Sequence, residues 1–445
     1  ATEAGEEARD LDRGVGSIAG LAMGDAVGTA VEFQPPYSFD PIEDMVGGGP
    51  FRLKPGQWTD DTSMCLCMAK SFIRTETMDG ADICTLFLEW ANEGHLSSNG
   101  LCFDIGGTTR SGLQGFHETG NKYSGSTAYR SAANGSLMRL APVPILLQHH
   151  PRLAMEVAVN TSRTTHGGAI PLSACRYMTG LVIGALQGAT KEELLKPYFV
   201  PRGLPADYWT SEEGRLDVKV DEIARGSYLE KEPAPVEAVR GRESLEGYIR
   251  GTGYVVHALE AALWALRKGD TYRDGVLLAT NIGDDTDTTA AIYGQLGGAL
   301  FGFDGTPDAW RRKMALGPLV QSMGSLLTSM ARYVRPLTPE EDRDVADHTA
   351  PLAWGNDQAE TFEVDPRFWV DRAAVAVPLM ALLEAHSRLE LEYRAHRRQG
   401  YRRAKLDPVE LAKKQSLFTE AARGVQEEVD GMLTYFAGMK RKEAG

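Results

Sequence analysis

Two short stretches bring carboxylates and hydroxyls together at the start of an apolar helical run. In the first, GQWTDDTS at 56–63, Thr59, Asp60, Asp61 and Thr62 precede Met64, Cys67, Met68, Ser71 and Phe72. That spacing of i, i+3, i+4, i+7 and i+8 is one buried helix face. Hydroxyls and carboxylates at a helix start are first of all caps for orphan N–H groups. One cap uses one such side chain, and two consecutive aspartates exceed it. Hard oxygen ligands at this density suit Mg²⁺ or Mn²⁺. The second stretch, NIGDDTDTT at 281–289, repeats the composition ahead of an apolar, glycine-punctuated helix expected over 290–302. Asp285 and Asp287 alternate across Thr286, which on an extended backbone turns both to one side. A pair of cations needs more carboxylates than one loop carries, so two convergent loops make chemical sense.

Helices have to position these groups. The first is expected over 13–33, where Gly16, Gly20, Gly24 and Gly28 recur every fourth residue. Such a stripe of small residues marks close backbone approach to another helix, at a cost of about 1 kcal/mol per Gly relative to Ala. Asp25, Thr29 and Glu32 draw a polar line along the same helix, between apolar neighbours that leave little surface to solvate it. A buried polar line leading to the site is the expectation. Gly47–Pro50 breaks the chain before the Thr59 helix, and another helix is expected over 81–93. The loop 97–109 carries CFDIGGTT, with Asp104 as an acceptor able to pair with a guanidinium. By itself this loop reads as a surface turn. Asn134, Gly135 and Ser136 precede an apolar run and can form an anion-binding nest of backbone N–H groups, with Arg139 as a structural anchor for a carboxylate. His166, in SRTTH at 162–166, breaks two helical stretches and reads as a hydrogen-bonded structural histidine.

The background is that of an ordinary globular protein. The 445 residues are 42% hydrophobic and 24% charged, with a formal charge of −14. That balance argues against wrapping around nucleic acid, although it leaves room for a local basic patch. Cys65, Cys67, Cys84, Cys102 and Cys175 are odd in number, sit mostly in apolar runs and have no zinc spacing, so they read as free thiols. The first residues are acidic and polar, unlike a signal peptide, and no run reads as the ~18 apolar residues of a membrane span. The expected compartment is the cytoplasm.

Five stretches, in order, resemble the ADP-ribosylglycohydrolase family, the relatives of dinitrogenase reductase-activating glycohydrolase. They are GLAMGDAVGTAVEF (20–33), GQWTDDTS, CFDIGGTT (102–109), NGSLMR (134–139) with its following Pro142, and NIGDDTDTTAAIYGQLGGALFG (281–302); SRTTH adds a sixth. The resemblance implies an all-α, compact catalytic domain over 13–335 with a dinuclear Mg²⁺ cleft (Mn²⁺ as the alternative), followed by a linker and C-terminal helical extension over 336–445. It also implies hydrolysis of the glycosidic bond between ADP-ribose and an acceptor, with ADP-ribose and ADP-ribosylated protein as partners. Carried over by position, the metal ligands fall on Thr59, Asp60, Asp61, Asp285, Asp287 and Thr288, and Glu32 is the acid beside them. Asp60 or Asp61 would steer the water, and Glu32 would relay a proton or stabilise charge. Asp104, Gly106, Gly107 and Thr108 match a substrate-lining loop, Asp104 lying near the departing arginine in arginine-directed relatives. Asn134, Gly135, Ser136 and Met138 match the segment holding phosphates and distal ribose, and His166 lines the same cleft. Tyr123, Tyr129, Tyr293 and Phe103 are candidates to stack on adenine.

The most direct expectation is release of ADP-ribose from arginine. The alternatives are ADP-ribosylserine, O-acyl-ADP-ribose or ADP-ribosylated nucleic acid as substrate, or a non-catalytic binding or structural member. Two departures stand out. Asp284 occupies a position where many relatives carry Gly. The segment 192–250 reads as an irregular insertion, a lid or interaction surface, after which a helix over 245–267 resumes the core. Within 336–445, two helices are expected at 368–398 and 408–436, with a basic cluster around Gly400 that reads as a solvated helix end.

Overall fold

The computed structural model describes residues 3–241 and 244–334; the expected C-terminal extension and its basic cluster lie outside the described residues. Among the described residues fifteen α-helices run in order: α1 Glu3–Gly28, α2 Asp60–Thr75, α3 Gly80–Glu93, α4 Gly107–Thr119, α5 Pro142–Leu146, α6 Pro151–Arg163, α7 Ala169–Leu186 and α8 Lys191–Leu194, then α9 Val218–Ala224, α10 Val236–Gly241, α11 Val255–Lys268, α12 Tyr272–Thr280, α13 Thr286–Phe301, α14 Asp308–Lys313 and α15 Gly317–Ala331. Among the described residues there is no strand, only isolated bridges such as Ala133 with Tyr254. The protein is all-α, as its 3.6-residue periodicities require.

The glycine stripe organises the centre. Helices α1 and α13 lie antiparallel with almost no side chain between them. A methyl at Gly16 would stand 2.3 Å from the Gly298 carbonyl oxygen, one at Gly20 2.4 Å from that of Gly294, and one at Gly24 2.2 Å from that of Ala290. At Gly28 it would stand 2.4 Å from the Cα of Asp287, the first-turn acid of α13. The closest helix contact in the fold therefore ends at the carboxylates. Around this pair the core is completed by large rings, with Trp58, Trp90, Tyr272, Tyr293 and Trp310 all nearly or fully buried. None of the five cysteines is in a disulfide.

Several expected boundaries move. The first helix begins earlier, at Glu3, and closes with a 3₁₀ turn, Thr29–Val31, so Glu32 sits just past its end with an extended backbone. The helix expected from 245 begins at Val255, because Gly251–Tyr254 first runs beside the Ala133 segment. There Asn134 N–H donates to the Gly253 carbonyl and Val255 N–H to that of Ala132, both at 3.0 Å. The second acidic cluster is not extended either: Asp285 is the N-cap of α13, and Asp287 lies in its first turn.

The segment read as an insertion, 192–250, is packed rather than poised. Tyr208, Trp209, Val220, Ile223 and Tyr228 are buried, and Trp209 fits over Gly180 of α7 with its indole N–H on the Phe199 carbonyl at 2.7 Å. Two helices also correct the hydropathy reading. Gly5–Val31 and Ala169–Leu186 are long and apolar enough to cross a membrane, with mean hydropathies of 1.3 and 1.4 over an 18-residue window of each. Yet 94% of each window is buried inside the protein, as in core helices that are apolar all round.

Candidate metal centre and active-site cleft

Helix α2 is capped from outside itself. Its N-cap residue, Thr59, makes no side-chain cap bond. Instead Asp25 on α1 accepts the Thr59 N–H at 2.9 and 3.0 Å, the Thr62 N–H at 3.1 Å and the Thr62 hydroxyl at 2.6 Å. The orphan donors of the first turn are thereby met by a buried carboxylate of another helix. This frees the Thr59 hydroxyl, whose Oγ1 lies 2.9 Å from Asp25 Oδ1, 3.0 Å from Asp61 Oδ2 and 3.1 Å from Asp287 Oδ2. One hydroxyl hydrogen can serve only one of three acceptors.

The surplus of acceptors extends through the site. Asp25, Asp61 and Asp287 offer oxygens within 4.8 Å of one another, as do Glu32, Asp104 and Asp287. Asp61 Oδ1, Asp287 Oδ1 and Glu32 Oε2 are buried without a hydrogen-bond partner. The charges bearing most on Asp60 are those of Asp104, Asp61, Asp25 and Glu32. Burial and then this mutual repulsion push Glu32 up to about 11 and hold Asp60, Asp61 and Asp287 well above the carboxylate range. Asp104 is pushed up to about 7, chiefly by burial, and Asp25 to about 6 by burial against the pull of its threonine donors. Carboxylates crowded this way must hold either protons or cations. Oxygens around Mg²⁺ at about 2.1 Å stand about 3–4 Å apart, so the two groupings fit a hard divalent cation by spacing and by donor type. The N-termini of α2 and α13 add their positive ends to the same point.

Of the six expected ligands, Asp61 and Asp287 belong to these groupings and Thr59 bridges them. Thr288 Oγ1 lies 3.5 Å from Asp61 Oδ2, and Asp285 accepts the Asn134 side-chain amide at 2.7 Å. Asp60, Asp285 and Thr288 face an open cleft of about 490 Å³ whose walls also carry Glu32, Asp104, Gly106, Gly107, Thr108, Asn134, Gly135, Met138 and His166. Ser136 does not reach it. It lies one layer below, accepting the Ser162 hydroxyl at 2.7 Å beside Cys175.

The loop at Asp104 is not a surface turn. Asp104 is half-buried against Glu32 and Asp60, and its φ of 58° lies in the left-handed region that few non-glycine residues adopt. Helix α4 starts at Gly107, inside the stretch expected to be loop, so its free first-turn N–H groups border the cleft; nothing lies within 4 Å of where a Gly107 side chain would be. His166 is buried, with Nδ1 2.8 Å from the Thr165 hydroxyl, and burial lowers its pKa to about 3. It is a neutral imidazole at any working pH. Its ring leaves no room for a side chain at Gly135, where a methyl would stand 2.8 Å from Cε1.

Arg139, Tyr293 and Phe103 fall outside the site. Arg139 meets no carboxylate; it is buried over the Phe87 ring and donates to the Thr161 carbonyl and the Thr164 and Thr165 hydroxyls, bracing the turn that carries His166. Tyr293 is in the core against Tyr272 and Gly275, so it cannot stack on a ligand. Phe103 packs at a tilt against Phe51, with ring centroids 5.1 Å apart, beside a separate cavity. Asp284 lines the cleft beside Asp285, which is itself the N-cap of α13. The Asp284 φ of 67° explains why glycine suits the position, and its backbone pairs with the segment after Glu32, accepting Phe33 N–H at 2.7 Å and donating to Gln34 at 2.8 Å. Phe33 and Thr109, the last residues of two of the motifs, also line the cleft, as do Ala133, Thr252 and Gly253, which carried no sequence signal beyond adjacency to a motif or a Gly-Thr-Gly turn.

The family model for ADP-ribosylglycohydrolase matches residues 6–343. The chain is 36% identical over 340 residues to an ADP-ribosylarginine hydrolase Tri1 of Serratia proteamaculans, covering 76% of this chain and 82% of that one. It is 38% identical over 327 residues to its Pseudomonas putida namesake (74% and 81%), and 31% identical over 310 residues to the ADP-ribosyl-[dinitrogen reductase] glycohydrolase of Rhodospirillum rubrum (68% and 90%). A solved structure described as an ADP-ribosylglycohydrolase-related protein complex superposes with a TM-score of 0.60 at 34% identity, covering 73% of this chain and 99% of that one. The cleft, its buried acids and these likenesses converge: the chain belongs to the ADP-ribosylglycohydrolase family and is an ADP-ribosylhydrolase, acting on a glycosidic bond.

Proposed function

We propose that this chain hydrolyses the bond between ADP-ribose and an arginine side chain of a modified protein. Two Mg²⁺ ions would be held among Thr59, Asp60, Asp61, Asp285, Asp287 and Thr288. The observation that carries the reading is the surplus of buried, partnerless carboxylate oxygens at one end of a cleft. The cleft's other walls offer backbone N–H groups and an amide, the chemistry a pyrophosphate needs in an acidic protein. Likeness to two proteins named ADP-ribosylarginine hydrolase supports arginine as the acceptor, and Asp104, an acid beside the carboxylate cluster, suits a guanidinium.

When bound, the cations supply Lewis acidity toward the ribose hydroxyls and lower the pKa of a nearby water. The remaining work falls to the chain. The first turn of α4 and Asn134 hold phosphate oxygens, while His166, neutral, supports Gly135 and offers hydrogen bonds without acid catalysis. Among the carboxylates lining the cleft, Glu32 and Asp60 are assigned to take a proton from water. The water oxygen bonds to the anomeric carbon as the carbon–nitrogen bond breaks through an oxocarbenium-like state. The electron pair stays on the guanidino nitrogen, which takes a proton and leaves as guanidinium beside Asp104.

The test is release of ADP-ribose from an arginine-ADP-ribosylated protein, with Mg²⁺ and with chelator, for wild type and Asp60→Ala. Metal-dependent release that Asp60→Ala abolishes is expected. Release from serine or nucleic-acid conjugates but not from arginine would overturn the acceptor and the role given to Asp104. Binding of ADP-ribose without release from any conjugate would favour a non-catalytic protein.

A further inference from the structure

A second cavity, of about 1070 Å³, lies between the C-terminal half of α3 and helix α4. Its walls include the half-buried apolar side chains Phe51, Leu88, Ala91 and Phe103, with Glu93 and Arg110 exposed at its edge. Of all residues lining this groove, Asp104 alone also lines the reaction cleft. The backbone at Asp104 is in the left-handed region, and the loop carries Phe103 and Ile105 in the groove wall on either side of a carboxylate that meets Glu32 and Asp60. Strain of this kind persists only where its surroundings hold it, and it concentrates at working sites.

We infer that the α3–α4 groove docks the polypeptide flanking the modified arginine of the acceptor protein, which rests on the arginine-linked reaction proposed above. The two cavities meet at Asp104, and this shared wall is what selects the occupant. ADP-ribose in the cleft has its scissile carbon at the acids, so the leaving side chain passes Asp104 and emerges into the groove. The groove matches the upper size of drug-sized ligand sites, about 1,000 Å³, and so exceeds the needs of one arginine side chain. Its apolar floor suits neighbouring side chains of a bound segment, and Asp104 at its inner end suits the guanidinium. A small arginine conjugate would fill the cleft and leave the groove empty.

The experiment compares kcat/KM for an arginine-ADP-ribosylated protein and for ADP-ribosylagmatine, a conjugate with no flanking polypeptide, using the full chain with Mg²⁺. Ala91→Trp fills the groove from α3, and Gln114→Trp fills it from the exposed face of α4, so the second guards against misfolding of the first. Each variant is expected to lose about tenfold or more on the protein, the size of one lost anchoring contact. The same variants should stay within about twofold of wild type on ADP-ribosylagmatine. Equal losses on both substrates, with a lowered melting temperature, would mean the groove is structural or covered by the protein's own chain, and would overturn the docking role. No loss on either would overturn it as well. Wild type that releases ADP-ribose from neither arginine conjugate would instead sink the arginine reaction itself, and the docking with it.

Discussion

The α1–α13 contact links glycine spacing to metal affinity, and Gly24→Ala exposes that link. On an isolated helix this change stabilises by up to about 1 kcal/mol. Here the new methyl would stand 2.2 Å from the Ala290 carbonyl oxygen and 2.7 Å from its carbon, against about 3.4 Å for ordinary contact. The obstacle is backbone, so no rotamer relieves it, and the helices must separate locally by about 1 Å. Overpacking of this kind costs about 1–3 kcal/mol, which exceeds the propensity gain. Asp287 lies one turn from Ala290, and α1 itself carries Asp25, so the separation pulls apart two carboxylates that share a grouping. Metal sites tolerate distance errors of only about 0.2 Å, so affinity should fall by about tenfold or more. Gly16→Ala and Gly20→Ala meet equally close carbonyls farther from Asp287. All three variants should lose several degrees of melting temperature, whereas Mn²⁺ affinity, measured by calorimetry, should fall in the order Gly24, Gly20, Gly16. Equal affinities across the series, or a Gly24→Ala protein more stable than wild type, would refute the reasoning.

Other expectations follow from the buried acids. Asp25 and Asp104 have folded pKa values raised to about 6 and about 7, above their unfolded values. The native metal-free protein therefore binds more protons than the unfolded chain between about pH 4 and 7, and it loses stability as pH rises through that window. Thermal melts with chelator should fall from pH 5 to 7.5, and the stabilisation on adding Mn²⁺ should grow over the same range; a pH-independent gap would contradict the cation fit. Asp61→Asn keeps the shape and removes one repelled charge, so it should raise the metal-free melting temperature while cutting metal-dependent activity about 100-fold or more. A variant destabilised without metal would show that Asp61 is structural. Trp209→Ala in the insertion should cost about 3–5 kcal/mol, measured by denaturant unfolding. Its kcat/KM well below the melting temperature should stay at the wild-type value, because no described residue of 192–250 lines the cleft. A selective kinetic loss would restore the lid reading.

Much of the chemistry was legible in one dimension because it is carried by residue types at helix-compatible spacing. Two acid–hydroxyl clusters ahead of apolar helices, a four-residue glycine period and a polar line at Asp25, Thr29 and Glu32 are local patterns, and each took its expected helix or buried face. Errors cluster where a distant segment overrides a local preference. The Asp285–Asp287 pair reads as alternation, but hydrogen bonds to Gly251 and within α13 make it a helix start. Arg139 reads as a carboxylate partner, and the fold turns it onto hydroxyls and a ring instead.

By itself, then, the sequence determined the all-α class, the presence of hard-oxygen ligand clusters and the family, since periodicity and motif order need no third dimension. Only the tertiary structure decided which acids share a space. Asp25 becomes the cap of a helix 34 residues away, and Asp104 turns from a surface loop into the partition between cleft and groove. Ser136 drops beneath the floor, and Tyr293 goes into the core. The physical reason is that spacing sets the face a residue shares with its near neighbours, whereas the approach of α1 to α13 through backbone-on-backbone glycine contacts sets which distant faces meet.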